Sequence, residues 1–400
     1  MTINLSSRAK NTSPSATLAI ASIAKRMKAE GIDVVDFGLG EPDFETPAHV
    51  KEAAILAIRE GFTKYTAAGG SDELKEAIIT KLKRDNGLSY GREEVIVSCG
   101  SKHSLFNIAE VLLESGDEVI VPAPYWVTYT EQIRLVGGQP VVVKTREEDA
   151  FHLSRRVVEP AITPKTKAIL VNSPCNPTGA MVPLDQLRAI AALAVERELL
   201  LISDEAYESL TYNGHIHVSI ASLGEEVKRR TIVVNTVSKA YAMTGWRIGY
   251  AAGPAEIIRA MSNIQGQVTS NPTSIAQKAA IAALLGPQDD VRAMVAEFDR
   301  RRRYLVGRLN AIPHLHCRNP EGAFYLFPNF SGFYGRTANG GPIRNSAEMA
   351  TYLLQTAHVA LVPGGEFGSD DHLRLSYATP MEAIVEGVNR MEQALGALRG

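Results

Sequence analysis

Short, uninterrupted apolar runs separated by helical patterns constrain this chain more than any other feature. The runs lie at Glu94–Ser98, Glu118–Pro122, Pro140–Lys144, Lys167–Asn172, Leu199–Ser203, Thr231–Asn235 and Arg247–Ala252. A strand that is apolar on alternate residues buries one face, whereas a continuous run buries both, so helices must cover both sides of the sheet. Helical patterns at Ser101–Glu114, Tyr125–Leu135 and Leu184–Glu198 supply such crossovers. The expected fold class is therefore α/β, with a mostly parallel seven-stranded sheet flanked by helices. After Pro287 the pattern changes to a long charged helix, Asp290–Leu309, and then to mixed strand and helix segments. This predicts a large domain over residues 48–286 and a smaller α+β domain from 1–47 and 287–400, which includes an N-terminal arm. Ser71 is placed to cap a helix that stops at Asn86-Gly87, and Pro47 to open another that ends near Gly61.

Composition narrows the functions open to such a fold. Lys plus Arg number 42 against 44 Asp plus Glu, a balance that gives no cationic surface for nucleic acid or for an anionic membrane. The longest uncharged stretch, Ala168 to Leu184, contains Pro174, Pro177 and Pro183 and cannot form a bilayer helix. Cys99, Cys175 and Cys317 are too few and too scattered for a disulfide framework or a zinc site. Reduced thiols, a cytoplasmic location and no metal are the expectations.

In an open α/β sheet, ligands bind beyond the carboxyl ends of the strands, so the residues after each run carry the functional reading. Cys99-Gly100-Ser101-Lys102 leads directly into a helix, which makes either an anion seat or an ordinary turn. Asn176, between Pro174 and Pro177, either offers an amide to a ligand or belongs to a rigid turn. Asp204 ends a buried run and needs a cation or a cap, with Tyr207 close behind it. Lys239 follows another buried run, where it is either a solvated surface lysine or one whose amine desolvation makes a nucleophile, and Arg247 offers a two-pronged phosphate partner. Arg374 lies in an apolar strand and needs an anion, from either a structural carboxylate or a substrate. Gly38-Leu39-Gly40 begins like a dinucleotide fingerprint, but Asp43 stands where the third glycine belongs.

Taken in order, Gly40-Glu41-Pro42-Asp43-Phe44, Lys64-Tyr65-Thr66, Gly100-Ser101-Lys102, Pro124-Tyr125-Trp126, Asn176-Pro177-Thr178-Gly179, Asp204-Glu205-Ala206-Tyr207, Ser238-Lys239, Arg247 and Arg374 resemble the aminotransferases of the aspartate-aminotransferase fold, which use pyridoxal 5'-phosphate (PLP). The resemblance runs from Pro14 to Tyr377 and is nearest to the bacterial aspartate aminotransferases. It implies that Lys239 bonds the cofactor aldehyde and shuttles the substrate proton, and that Asp204 pairs with the ring nitrogen. Asn176 and Tyr207 would bond the phenolic oxygen, Trp126 would stack on the ring, and Ser101, Lys102, Ser238 and Arg247 would hold the phosphate. Tyr65 would arrive from the second subunit of a homodimer with shared active sites. Arg374, with the Gly40 backbone alongside, would grip the substrate α-carboxylate. Thr236 replaces the serine of many relatives but keeps the hydroxyl, and Ser13 stands where prephenate-using relatives carry lysine.

The implied activity is amino transfer between L-aspartate and 2-oxoglutarate in two half-reactions, on amino-acid and 2-oxo-acid substrates. Transfer from aromatic or neutral amino acids and β-lyase chemistry are the alternatives on the same fold; a non-enzymatic PLP-sensing domain is a more remote one. No arginine matches the family's contact to a second substrate carboxylate, which leaves Lys102, with the arm hydroxyls of Ser15 and Thr17, as the expected contact; otherwise Lys102 is a counter-charge to the phosphate.

Overall fold

All seven apolar runs become strands of one sheet in the computed structural model, which describes residues 3–12, 16–338 and 341–399, without the side chains of 11, 16–19 and 21. In chain order within this sheet the strands are β1 (Val95–Ser98), β2 (Glu118–Ala123), β3 (Gln139–Lys144), β4 (Thr166–Asn172), β5 (Leu200–Asp204), β6 (Thr231–Thr236) and β7 (Gly249–Ala252). They lie in the order β1-β7-β6-β5-β4-β2-β3. Only β7 runs against its neighbours; the other contacts are parallel. Val95 and Val97 of β1 pack in one core and Ile96 in another, which is the two-sided burial that a continuous apolar run implies. Helices Asp72–Asn86 and Ser274–Leu285 contribute to the first core and helix Ser101–Leu112 to the second.

Three local expectations are corrected. β3 is an edge strand that buries Pro140 and Val143 but leaves Val142 exposed, so its continuous apolar run does not signal burial on both faces. The helix expected from Tyr125 begins at Thr128, because Tyr125 N–H donates to Phe367 O at 3.1 Å across to the C-terminal layer. Arg247 stands outside the strand: it closes a single turn at Thr244–Trp246 with φ +56°. The caps follow the sequence. Ser71 Oγ accepts from Leu74 N at 3.3 Å, and Gly87 ends the same helix in the left-handed region.

A second layer follows from helix Asp289–Ala311 onward. Its strand Leu373–Ser376 lies between Val362–Pro363 and Tyr325–Leu326 in an antiparallel sheet. Val35–Asp36 joins this layer by pairing in parallel with Val359–Ala360, which carries the following Gly38–Glu41 segment to the sheet edge.

Candidate active site

β1, β4, β5 and β6 end at one edge of the sheet, where β7 begins: Gly249 pairs with both Ser98 and Thr236. A Cβ on Gly249 would lie 2.1 Å from Ser101 N, so glycine lets β7 press against the first turn of helix Ser101–Leu112. Gly100 is similarly restricted, with φ +91° and no room for a Cβ beside the Arg247 guanidinium. The helix N-terminus, Arg247 and the Ser238 loop thus face one spot. Arg247 donates to the carbonyls of Thr244 (2.8 Å) and Cys99 (3.2 Å) and has no carboxylate partner among the described residues. Thr236 Oγ1 accepts from Ser238 N at 3.1 Å and donates to Ile248 O at 2.9 Å, which fixes the loop that carries Lys239.

Asp204 forms the floor at 3% exposure. Its carboxylate accepts from Tyr129 Oη at 2.7 Å and from Ala206 N at 3.2 Å, with no cation in ion-pair contact among the described residues. Burial pushes its pKa up to about 6. Lys239 stands nearby, its amine lowered to about 8 by burial and then by Arg374, and Nζ donates to Gly40 O at 2.6 Å.

Arg374, 1% exposed, closes the far wall. Its donors reach neutral oxygens only, Asn176 Oδ1 at 3.0 Å and Gly38 O at 2.6 Å, and its Nε has no partner. The guanidinium lies 4.7 Å from the Tyr325 ring centre and 5.1 Å from that of Phe367. No carboxylate is in ion-pair contact with it among the described residues; Asp36 acts on it only from a distance, while its own carboxylate accepts from Gly38 N at 2.8 Å, which leaves the fork free for a ligand carboxylate. Asn176, with its Oδ1 committed to Arg374, keeps its amide donor for a ligand. Tyr207 Oη and Tyr325 Oη are 2.7 Å apart. Lys102 extends to 4.9 Å from the Trp126 ring centre, and burial, then Arg247, lower its pKa.

These groups line one cleft of about 300 Å³ in which Lys102, Lys239, Arg247 and Arg374 face only Asp204 and Glu41 as acids. Its chemistry suits a flat, phosphorylated ring that carries a protonated nitrogen and an aldehyde. The helix N-terminus with Arg247 offers an anion seat, Asp204 an acceptor for a protonated nitrogen and Lys239 an amine for a carbonyl. Twelve of the fourteen expected residues are described with their side chains, and eleven of those line this cleft: Gly40, Ser101, Lys102, Trp126, Asn176, Asp204, Tyr207, Ser238, Lys239, Arg247 and Arg374. Tyr65 does not; it is 89% exposed, away from the cleft of its own chain. Ser15 and the side chain of Thr17 lie outside the described residues, as does Ser13. Tyr129, Tyr325 and Glu41 were missed as site residues. Tyr129 was findable, three residues after Trp126 and so at helical spacing, whereas nothing near Tyr325 marks it locally.

A family model described as aminotransferase class I and II matches residues 32–391. The aspartate aminotransferase of Geobacillus stearothermophilus is 49% identical over 99% of this chain and 100% of its own length. Among solved structures, the aspartate aminotransferase from Rhizobium meliloti superposes with a TM-score of 0.96 at 44% identity, covering 99% of this chain and 100% of that one. That of Thermus thermophilus with maleate gives 0.91 at 44% identity, covering 98% and 100%.

Proposed function

This chain belongs to the class I and II aminotransferases, and from that premise we propose that it transfers the amino group of L-aspartate to 2-oxoglutarate with PLP as cofactor. The observation that carries the substrate assignment is the pair of cations lining the cleft, Arg374 and Lys102, neither of them in ion-pair contact with a carboxylate among the described residues. A dicarboxylic amino acid supplies one anion to each.

When bound, the cofactor supplies an aldehyde that takes and returns the amino group and a ring that accepts electrons from the substrate Cα. Ser101, the Lys102 backbone, Ser238 and Arg247 would hold its phosphate, and Trp126 would cover the ring face. Asp204, kept in place by Tyr129, would pair with the ring nitrogen, while Asn176 and Tyr207 would donate to the phenolic oxygen. Lys239, whose amine has a pKa of about 8, would hold the aldehyde end and move the proton at the substrate Cα. Arg374 orients the α-carboxylate beside Gly40; Lys102, with Ser15 and Thr17 on the arm, receives the second carboxylate.

The proposal includes a cytoplasmic homodimer whose sites each receive Tyr65 from the neighbour, and chain domains at 48–286 and at 1–47 with 287–400. No described helix is long and apolar enough to cross a membrane. The test is a donor panel on purified protein and on Lys102→Ala. Removing one member of such a charge pair costs about 2–5 kcal/mol, so kcat/KM for aspartate falls by on the order of tens- to thousands-fold while alanine turnover changes little. Equal losses on acidic and neutral donors would assign Lys102 to the phosphate, and release of free ammonia would point to lyase chemistry instead.

A further inference from the structure

We propose that Glu147, outside the cleft, is a positioning residue for Arg374 and acts through His372; the inference rests on Arg374 binding the substrate α-carboxylate. Glu147 follows β3 on the sheet body, yet its carboxylate is held by three stretches of the C-terminal layer. Asn329 Nδ2 donates to Oε2 at 2.8 Å, His316 Nδ1 lies 2.7 Å from Oε1, and His372 Nε2 lies 3.2 Å from Oε2. The three stretches are themselves bridged, His316 to Asn329 and Asn329 to His372, so one carboxylate ties a whole sheet edge to the neighbouring layer. Burial opposes ionisation of Glu147, but the donors from His372, Asn329 and His316 prevail and hold its pKa at about 2, so it is an anion across the working range.

His372 is built to pass this hold on. It is buried, its Nδ1 lies 2.9 Å from Ser369 Oγ, and its ring stacks on Phe327 with centres 4.7 Å apart and planes 5° from parallel. Phe327 packs on Phe367 at 6.1 Å, and Phe367 lies beneath the Arg374 guanidinium. His372, bridged to Asn329, also directly precedes strand Leu373–Ser376, whose second residue is Arg374. Backbone and ring stack therefore both link the Glu147 contact to the carboxylate grip. Among the described residues Arg374 donates to two neutral oxygens and makes no ion pair, so the rings against it, Phe367 among them, share in setting its aim.

A two-pronged grip tolerates little misplacement, and Glu147→Gln, which keeps the shape but loses the charge, is expected to raise KM for aspartate and for alanine together by about tenfold. The dissociation constant of maleate should rise by a similar factor, with kcat and the cofactor absorbance nearly unchanged. His372→Gln should do the same, and the double variant should be no worse than either single one, because both break one connection. Glu147→Asp should recover part of the loss. A fall in thermal stability with unchanged KM and maleate affinity, a rise confined to aspartate, or additive effects in the double variant would overturn the proposal. If Glu147→Gln does not fold, His372→Gln alone decides it by the same readings. Maleate affinity also separates the two claims: a wild type that binds maleate but moves no amino group from aspartate refutes the donor assignment, whereas this inference fails only if the variants bind maleate as the wild type does.

Discussion

A carboxylate with one tyrosine hydroxyl and one backbone N–H as partners is costly to ionise in a protein interior, and Asp204 is in that position. Its folded pKa of about 6 lies above the ordinary 3.8, so the fold favours the protonated form. The penalty is absent below about pH 4 and complete above about pH 6, where two units amount to about 3 kcal/mol. Asp204→Asn should therefore raise the melting temperature of the cofactor-free protein at pH 8 and leave it almost unchanged at pH 4. The same variant should bind PLP more weakly and lose most of its kcat. An apoprotein whose stability at pH 8 is unchanged by the substitution would refute this account of the floor. Lys239 has the opposite charge and the opposite sign. Its amine is neutral above about pH 8, so the rate at which apoprotein captures PLP should climb through that pH, which stopped-flow absorbance would read. Asp204 is legible in the sequence, because a carboxylate at the mouth of a buried apolar run demands a partner, whereas Lys239 stands out only within the ordered set of motifs that carries the family resemblance. Tyr325 is not legible: its hydroxyl meets Tyr207 from 118 residues away, and no local pattern encodes such a meeting.

Elements were legible where one physical cause dominates. β1 and β6 are buried along their whole length, so their continuous apolar runs predict both the strands and the helices that cover them. β3 carries the same signal with less behind it, since at the sheet edge only Pro140 and Val143 are buried and strand propensity suffices for Val142. The apolar residues after Arg247 predict a strand that starts with it, yet its left-handed turn is fixed by contacts to Thr244 and Cys99 that arise only when β7 docks beside β1. That docking depends on Gly249. Gly249→Ala places a Cβ against backbone rather than a movable side chain, so β7 or the helix start must shift. Overpacking of this kind costs about 1–3 kcal/mol, and because it falls on the anion seat it should weaken PLP binding by on the order of ten- to a hundred-fold. Titration of apoprotein with PLP checks it; unchanged affinity with an ordinary melting temperature would show that the seat is more pliable than its geometry indicates.

For the whole molecule, the question is what covers the apolar surface that a single chain leaves open. Helix Ala48–Arg59 turns Leu56 (53% exposed) and Ile58 (55%) outward, and Val268 and Leu285 are also left exposed. Scattered exposed apolar residues are unremarkable on a monomer, but three in the last turns of one helix, Ile55, Leu56 and Ile58, with a tyrosine at 89% exposure nearby in sequence, suit a protein partner better than water. The formal charge of -2 opposes self-association only weakly. A second copy of this chain, as proposed above, would cover that surface and supply Tyr65 to the neighbour's phosphate. Two variants separate assembly from the hydroxyl itself. Ile58→Asp combined with Leu56→Asp should shift the protein toward monomer in sedimentation and reduce PLP affinity with it, because each site loses its borrowed tyrosine. Tyr65→Phe should stay dimeric and lose only one hydrogen bond to a charged group, worth about 1.5–3 kcal/mol, or roughly ten- to a hundred-fold in PLP affinity. Fully active monomers at assay concentration would contradict the shared site, as would a Tyr65→Phe dimer that binds PLP as tightly as the wild type.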